Sequence, residues 1–314
     1  MPPRTPALNL LRRVAGPLVR QARFLARRSV ILWNGRLAGP IVVYQPGKVG
    51  SQSVYQSLSG LRLPHPVHHA HFLTGFDDLE RMMRTALADP VRSLGKLALD
   101  REVQRALQER PNAPWNVVTL VRDPVARNIS TFFQTLDAFY PEVQVQYSAG
   151  THSMEVLHRR FLDIGFNKVS PDQWFEEQLR PVTGIDVFAV PFPWRQGYVV
   201  IRQGRVRLLL IRLESLEACA AQAFWEAFGI PRFRVPRYNT AEERWHRDLY
   251  RRFIDTLVLP EPFLRLMYDS RTARHFYSPQ EIASFQSRWT RTGEVDRVEA
   301  PLLGVPREDL DDTH

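Results

Sequence analysis

The chain has 314 residues, 44% of them hydrophobic, with seven tryptophans. That suffices for one large α/β core and is too apolar for a disordered chain. Its single cysteine, Cys219, excludes an internal disulfide and a cysteine-based zinc site and fits a reducing compartment. The net charge is +9, from 42 basic and 33 acidic residues, and it is uneven. Arg4, Arg12, Arg13, Arg20, Arg23, Arg27, Arg28 and Arg36 all precede the first acidic residue, Asp77. The body is therefore near neutral, no nucleic-acid motif accompanies the charge, and no nucleic-acid partner is expected.

Residues 8–33 mix Leu, Val, Phe and Ile with arginine. Arg20, Arg23, Arg27 and Arg28 interrupt every apolar run, so nothing here spans a bilayer. The apolar centre is also too short and too charged for a cleavable secretory signal. Residues 1–38 are read as a separate arginine-rich segment: a helix packed on the domain, a tail, or a basic amphipathic helix lying on an anionic membrane surface. The expected location is cytoplasmic, with peripheral attachment at the inner membrane face as the form membrane contact would take. The main domain is expected over 39–290. Residues 291–314 lack periodicity and read as a flexible tail.

The first informative stretch is Ile41-Val-Val-Tyr-Gln-Pro-Gly-Lys-Val-Gly-Ser-Gln-Ser-Val-Tyr-Gln-Ser-Leu58. Ile41 to Tyr44 form a short apolar run of strand length, which Pro46-Gly47 breaks. Ser51 or Ser53 is expected to cap a following helix, with Val54 and Leu58 on its inner face. A loop between strand end and helix start gathers backbone N–H groups and the positive end of the helix dipole, which suits a phosphate-like anion. Lys48, one of only three lysines, adds a mobile charge. The order differs from the triphosphate P-loop, where Lys and Ser/Thr directly follow the second of two glycines five apart. Here Lys48 precedes Gly50.

Next, Val67 to Leu73 reads as a second strand with His69 and His71 on one face. His65 and His68 read as structural or exposed. The histidines lack the partners of a zinc site and fit better a general base at a strand end. Phe76–Leu87 and Leu94–Leu107 read as helices. Val117-Val-Thr-Leu-Val-Arg122-Asp-Pro-Val-Ala-Arg-Asn-Ile-Ser130 reads as a buried strand, Arg122 at its carboxyl end, and a helix opened by Pro124. Ile129, Phe132, Phe133 and Leu136 supply that helix's inner face, and Ser130 is placed to converge with Arg122 on one anion. The simpler alternative is an Arg122–Asp123 helix start with Ser130 solvated.

The strand–Arg-Asp-Pro–helix–Ser segment resembles the 3′-phosphate element of sulfotransferases, and the Lys48 loop resembles their 5′-phosphosulfate loop. The later segments Asn239-Thr-Ala-Glu-Glu-Arg-Trp245 and His275-Phe-Tyr-Ser-Pro are similar to those of a bacterial branch linked to capsular polysaccharide synthesis. The resemblance covers about Ile41 to Trp289. His246 departs from it, since that branch more often has tyrosine there. The His69-x-His71 pair is similar to the base region of uronyl 2-O-sulfotransferases. The resemblance implies a P-loop-NTPase-like α/β fold, a three-layer sandwich with a central, mainly parallel sheet flanked by helices. It implies transfer of a sulfuryl group from 3′-phosphoadenosine 5′-phosphosulfate to a hydroxyl of a polysaccharide or glycolipid of the cell envelope, with no metal expected. Gly47, Lys48, Val49, Gly50, Ser51, Gln52 and Ser53 would hold the phosphosulfate, and Arg122 and Ser130 the 3′-phosphate. Lys48 would stabilise the leaving oxygen. His71, then His69, are the candidate bases, with Glu214 as a carboxylate alternative. A P-loop kinase or nucleotide-binding protein of polysaccharide synthesis, and a non-catalytic nucleotide binder at a membrane, are the competing classes.

Beyond this, Ile185–Val190, Tyr198–Ile201 and Val206–Ile211 read as strands, the last central, with a turn at Gly204. Ser215 opens a helix running to Phe228. Thr240 with Glu243, and Ser278 with Glu281, show capping-box spacing. Trp245, Leu249 and Phe253 continue a helical stripe. The aromatics Trp174, Phe175, Phe188, Phe192 and Trp194 suit either sugar stacking or core.

Overall fold

The structure is a computed structural model that describes residues 39–290 except 62, 64–65, 87–89, 111, 166–170 and 236–245. The arginine-rich start, the tail, His65, the Thr240–Glu243 pattern and Trp245 lie outside the described residues.

Among the described residues five strands make one sheet: β1 (Ile41–Tyr44), β2 (Val67–Ala70), β3 (Trp115–Val121), β4 (Tyr198–Gln203) and β5 (Val206–Arg212), in the order β2-β1-β3-β5-β4. Every neighbouring pair is parallel except β4–β5. That pair is a hairpin turned at Gly204, which adopts φ +55. Parallel strands are covered on both faces, so their sequences are continuous apolar runs. Leu208 to Ile211 are fully buried, as an interior strand requires.

Among the described residues there are twelve helices: α1 (Ser51–Gly60), α2 (Phe76–Ala86), α3 (Pro90–Gln108), α4 (Pro124–Phe139), α5 (Glu142–Ser148), α6 (Met154–Gly165), α7, α8 (Leu216–Phe228), α9 (Arg247–Thr256), α10 (Glu261–Tyr268), α11 (Arg271–Phe276) and α12 (Pro279–Thr290). Helix α7 runs Pro171–Trp174, takes a π turn at Phe175–Leu179, and closes at Arg180–Thr183. Alternation along the strands sends two sets of side chains to two helical layers. Ile41, Val43, Val118, Leu120, Leu209 and Ile211 pack with Val54 and Leu58 of α1 and with Ala220, Ala223 and Phe224 of α8. Val42, Tyr44, Val117, Val121, Leu208 and Leu210 pack with α3, α4, α6, α7 and the C-terminal helices. No helix among the described residues is long and apolar enough to cross a membrane.

Three local expectations are corrected. Ile185–Val190 is no strand but a 3₁₀ turn at Val187–Ala189, because the Asp186 side chain accepts from the Phe188 N–H and starts a turn. The second strand stops at Ala70 rather than Leu73, because the N–H groups of His71 and Phe72 turn to Asp100. Neither Ser51 nor Ser53 caps α1: the N-cap is Gly50, with no side-chain bond. The Ser278–Glu281 box does form, with reciprocal bonds of 2.8 Å and 3.2 Å.

The β1–α1 loop owes its shape to Gly50. It holds φ +80, and a Cβ there would stand 2.4 Å from Leu213 Cδ1. Lys48 is also left-handed, at φ 69. Gly50→Ala should therefore lower unfolding stability by about 1–3 kcal/mol, from backbone strain and displacement of Leu213. Urea unfolding checks this, and an unchanged midpoint would mean the loop does not need that conformation.

Candidate functional site

The carboxyl ends of β1, β3 and β5 bring the site together. Arg122 follows β3 and is buried, and its Nη1 donates to the Lys48 carbonyl at 3.1 Å. Arg127, on α4, donates from Nε to the Gly47 carbonyl at 3.1 Å. Two guanidinium groups thus lie beneath one loop. In a trans peptide the carbonyl and the next N–H point in opposite directions. Turning the Gly47 and Lys48 carbonyls onto the arginines aims the N–H groups of Lys48 and Val49 the other way. The result is a positively charged cradle at a helix start, suited to an anion. Burial, then the neighbouring Arg122 charge, pulls the Arg127 pKa down to about 10. That leaves Arg127 charged at neutral pH.

The histidines stand at the adjacent edge. The Gln45 side-chain amide donates to His69 Nε2 at 3.0 Å, and Ser51 Oγ lies 3.1 Å from the same nitrogen. The His69 ring stacks on Tyr55 of α1 at 5.4 Å. His71 sits edge-on to it, 4.8 Å between ring centres, and donates from Nδ1 to the Gln45 carbonyl at 3.0 Å. That bond puts the His71 proton on Nδ1 and the lone pair on Nε2, the form that accepts a proton. Burial lowers the His71 pKa below 6.5, against the opposing pull of the Gln45 carbonyl. The His71 carbonyl in turn accepts from Trp174 Nε1 at 3.2 Å.

A carboxylate pair braces the other flank. Asp123 caps α4 by accepting from Val125 N at 3.0 Å and also accepts from the Tyr268 hydroxyl at 3.0 Å. Glu214 Oε1 accepts from Asp123 N at 2.8 Å, and Oε2 from the Tyr277 hydroxyl at 2.9 Å. Desolvation is the main cause that raises the Glu214 pKa, to about 7, with the Asp123 charge adding to it. Burial raises Asp123 too.

Of the residues expected at the site, Gly47, Lys48, Gly50 and Arg122 meet at one place. Ser51 is buried and turned to His69. The Val49 side chain belongs to the core, leaving its backbone to face an anion. Gln52 is exposed, and Ser53 is half-buried with its carbonyl taken by Ser57. Ser130 is half-buried further along α4. Glu214 has both oxygens engaged, as a brace does. His68 is buried on the opposite sheet face, its pKa pushed down to about 4 by burial. His246 is buried against the Phe133 ring.

Gln45, Arg127 and Asp100 were not singled out from sequence. Gln45 directly follows the strand, and Arg127 lies one turn into a helix that starts at the site. Those positions are legible signals. Asp100 sits in mid-helix and offers none.

A family model described as "Putative capsular polysaccharide synthesis protein" matches residues 151–278, less than half of the chain. The matched stretch holds Glu214 and Tyr277 but neither the Lys48 loop nor Arg122. No curated protein and no solved structure matched the chain.

The Glu214 shift has a defined sign. A carboxyl raised from 4.5 to about 7 in the fold favours the native state in its protonated form. That contribution is fully present below about pH 4.5 and lost as pH rises through about 7. Glu214→Gln cannot ionise. Its melting temperature relative to wild type should rise between pH 5 and pH 8. An identical offset at both pH values would contradict the shift.

Proposed function

We propose that this protein transfers a sulfuryl group from 3′-phosphoadenosine 5′-phosphosulfate to a hydroxyl of a polysaccharide or glycolipid. The fold is then of the P-loop-NTPase-like, three-layer kind. One observation carries the reading: Arg122 and the Lys48 loop, 74 residues apart in sequence, touch at 3.1 Å. The residues suit the donor's two anionic ends. The cradle at Lys48–Ser51 offers N–H groups and an ammonium to the phosphosulfate. Arg122 offers its guanidinium charge to the 3′-phosphate. The family description supports a polysaccharide acceptor.

In this reaction His71 Nε2 takes the proton of the acceptor hydroxyl as its oxygen bonds to sulfur. The bond between sulfur and the bridging oxygen breaks, and its electron pair leaves with 3′,5′-ADP. Charge grows on that bridging oxygen, where Lys48 stabilises it. His69 and Gln45 hold the loop and the His71 ring in mutual register. Exclusion of water falls to the buried surroundings of His71, which also keep its imidazole neutral at working pH.

Thermal shift with 3′,5′-ADP, 5′-AMP and ATP·Mg tests donor choice. Full-length protein should be stabilised most by 3′,5′-ADP, and Arg122→Ala should lose that preference over 5′-AMP. Equal losses for both nucleotides would remove the 3′-phosphate role, and a preference for ATP·Mg would favour a kinase. Transfer of labelled sulfate onto envelope polysaccharide and glycolipid fractions tests the reaction itself. Lys48→Ala should lower it about 100-fold or more with the fold intact. For His71, the pKa direction puts the acidic limb of the pH–rate profile below 6.5, with rate rising as the ring loses its proton. His71→Ala should abolish that limb, and a limb that persists would transfer the role elsewhere.

A further inference from the structure

Asp100 is a buried carboxylate, 5% exposed, on α3. Its Oδ2 accepts the N–H of His71 at 3.1 Å and of Phe72 at 3.0 Å. These are the two residues just past β2, where pairing with β1 ends at Tyr44 and Ala70. The ladder therefore gives out at the residue that carries the candidate base. Backbone N–H groups buried there need another acceptor, and Asp100 supplies it. Burying a carboxylate is costly, and a turn alone would not require one. Lys96, one turn earlier on α3, provides a nearby positive charge.

The surroundings of His71 show what the carboxylate adds. The ring is held through Nδ1 by Gln45, at the end of β1. The carbonyl is held by Trp174 of α7. Asp100 holds the N–H side. Ring, carbonyl and amide are thus gripped by three separate elements. The grip at the amide sets the direction in which the side chain leaves the backbone, and so whether Nδ1 can reach the Gln45 carbonyl.

We propose that Asp100 is the positioning residue for His71, fixing its backbone so that Nδ1 carries the proton and Nε2 faces the acceptor. The proposal rests on the reading of His71 as the acceptor base. Asp100 touches no reacting atom and acts through the His71–Phe72 backbone alone. An amide side chain of the same shape keeps one acceptor oxygen and should largely substitute for it.

The test reads the His71 ring directly. Long-range ¹⁵N–¹H NMR on the full chain reports which imidazole nitrogen carries the proton, independently of any activity. In wild type His71 should be protonated on Nδ1. Asp100→Ala should average the two nitrogens and, where transfer is measured, lower kcat on the order of 10- to 100-fold with the donor KM little changed. Asp100→Asn should restore the Nδ1 signature and most of kcat. An unaltered His71 signature in Asp100→Ala overturns the proposal. Should Asp100→Ala fail to fold, Asp100→Ser, which retracts the acceptor oxygen, takes its place with the same expectation and the same overturning result. If the signature is lost while kcat and the acidic limb stay unchanged, the base reading of His71 fails and with it the positioning role. Failure of sulfate transfer altogether is told apart because the NMR result still shows whether Asp100 sets the ring.

Discussion

Two guanidinium groups under a single loop constrain everything around them. Arg122 and Arg127 take the Lys48 and Gly47 carbonyls. Like charges brought that close repel; Arg122 is buried and Arg127 half-buried. The arrangement persists because each cation has a carbonyl dipole in reach and the Asp123 and Glu214 carboxylates lie near Arg122. Burial of Arg122 also means its field acts on the loop with little screening. The left-handed backbone at Lys48 and Gly50 follows from the same demand, since the chain must turn two carbonyls inward within a few residues.

The carboxylates form the counterpart. Asp123 and Glu214 join the starts of α4 and α8 to Tyr268 at the end of α10 and to Tyr277 just past α11. The C-terminal region, far away in sequence, thereby braces the strand ends that carry the site. Arg212 does similar work on the neighbouring strand: it bonds Glu281 at 2.6 Å and the Trp194 carbonyl at 2.7 Å. The family match covers much of this bracing region rather than the loop.

Much of the fold was legible in the chain. The β1 run, the Pro124 helix start, the hairpin at Gly204 and the Ser278–Glu281 box each rest on a side chain acting on its immediate neighbours, and each appears where its chemistry predicts. The misplaced strand at Ile185–Val190 had apolar composition in its favour, but Asp186 within it satisfied a backbone N–H locally, and among the described residues no strand pairs with it. Capping by Ser51 failed for a tertiary reason: its hydroxyl found His69 instead of the helix N-terminus.

The site divides along the same line. Residue type and order singled out the Lys48 loop, Arg122 and the paired histidines, because the proposed anion cradle and base would need particular functional groups at strand ends. Which groups grip which was beyond that reach. Asp100, Gln45 and Arg127 gain their meaning from partners 26 to 80 residues distant, through the carbonyl and amide groups that every residue possesses. A backbone carbonyl has no signature in an amino-acid string. Only when the sheet stacks β2 beside β1 beside β3 do these anonymous groups acquire addresses, and the burial that accompanies stacking then sets the proton affinities of His71, Asp100 and Glu214.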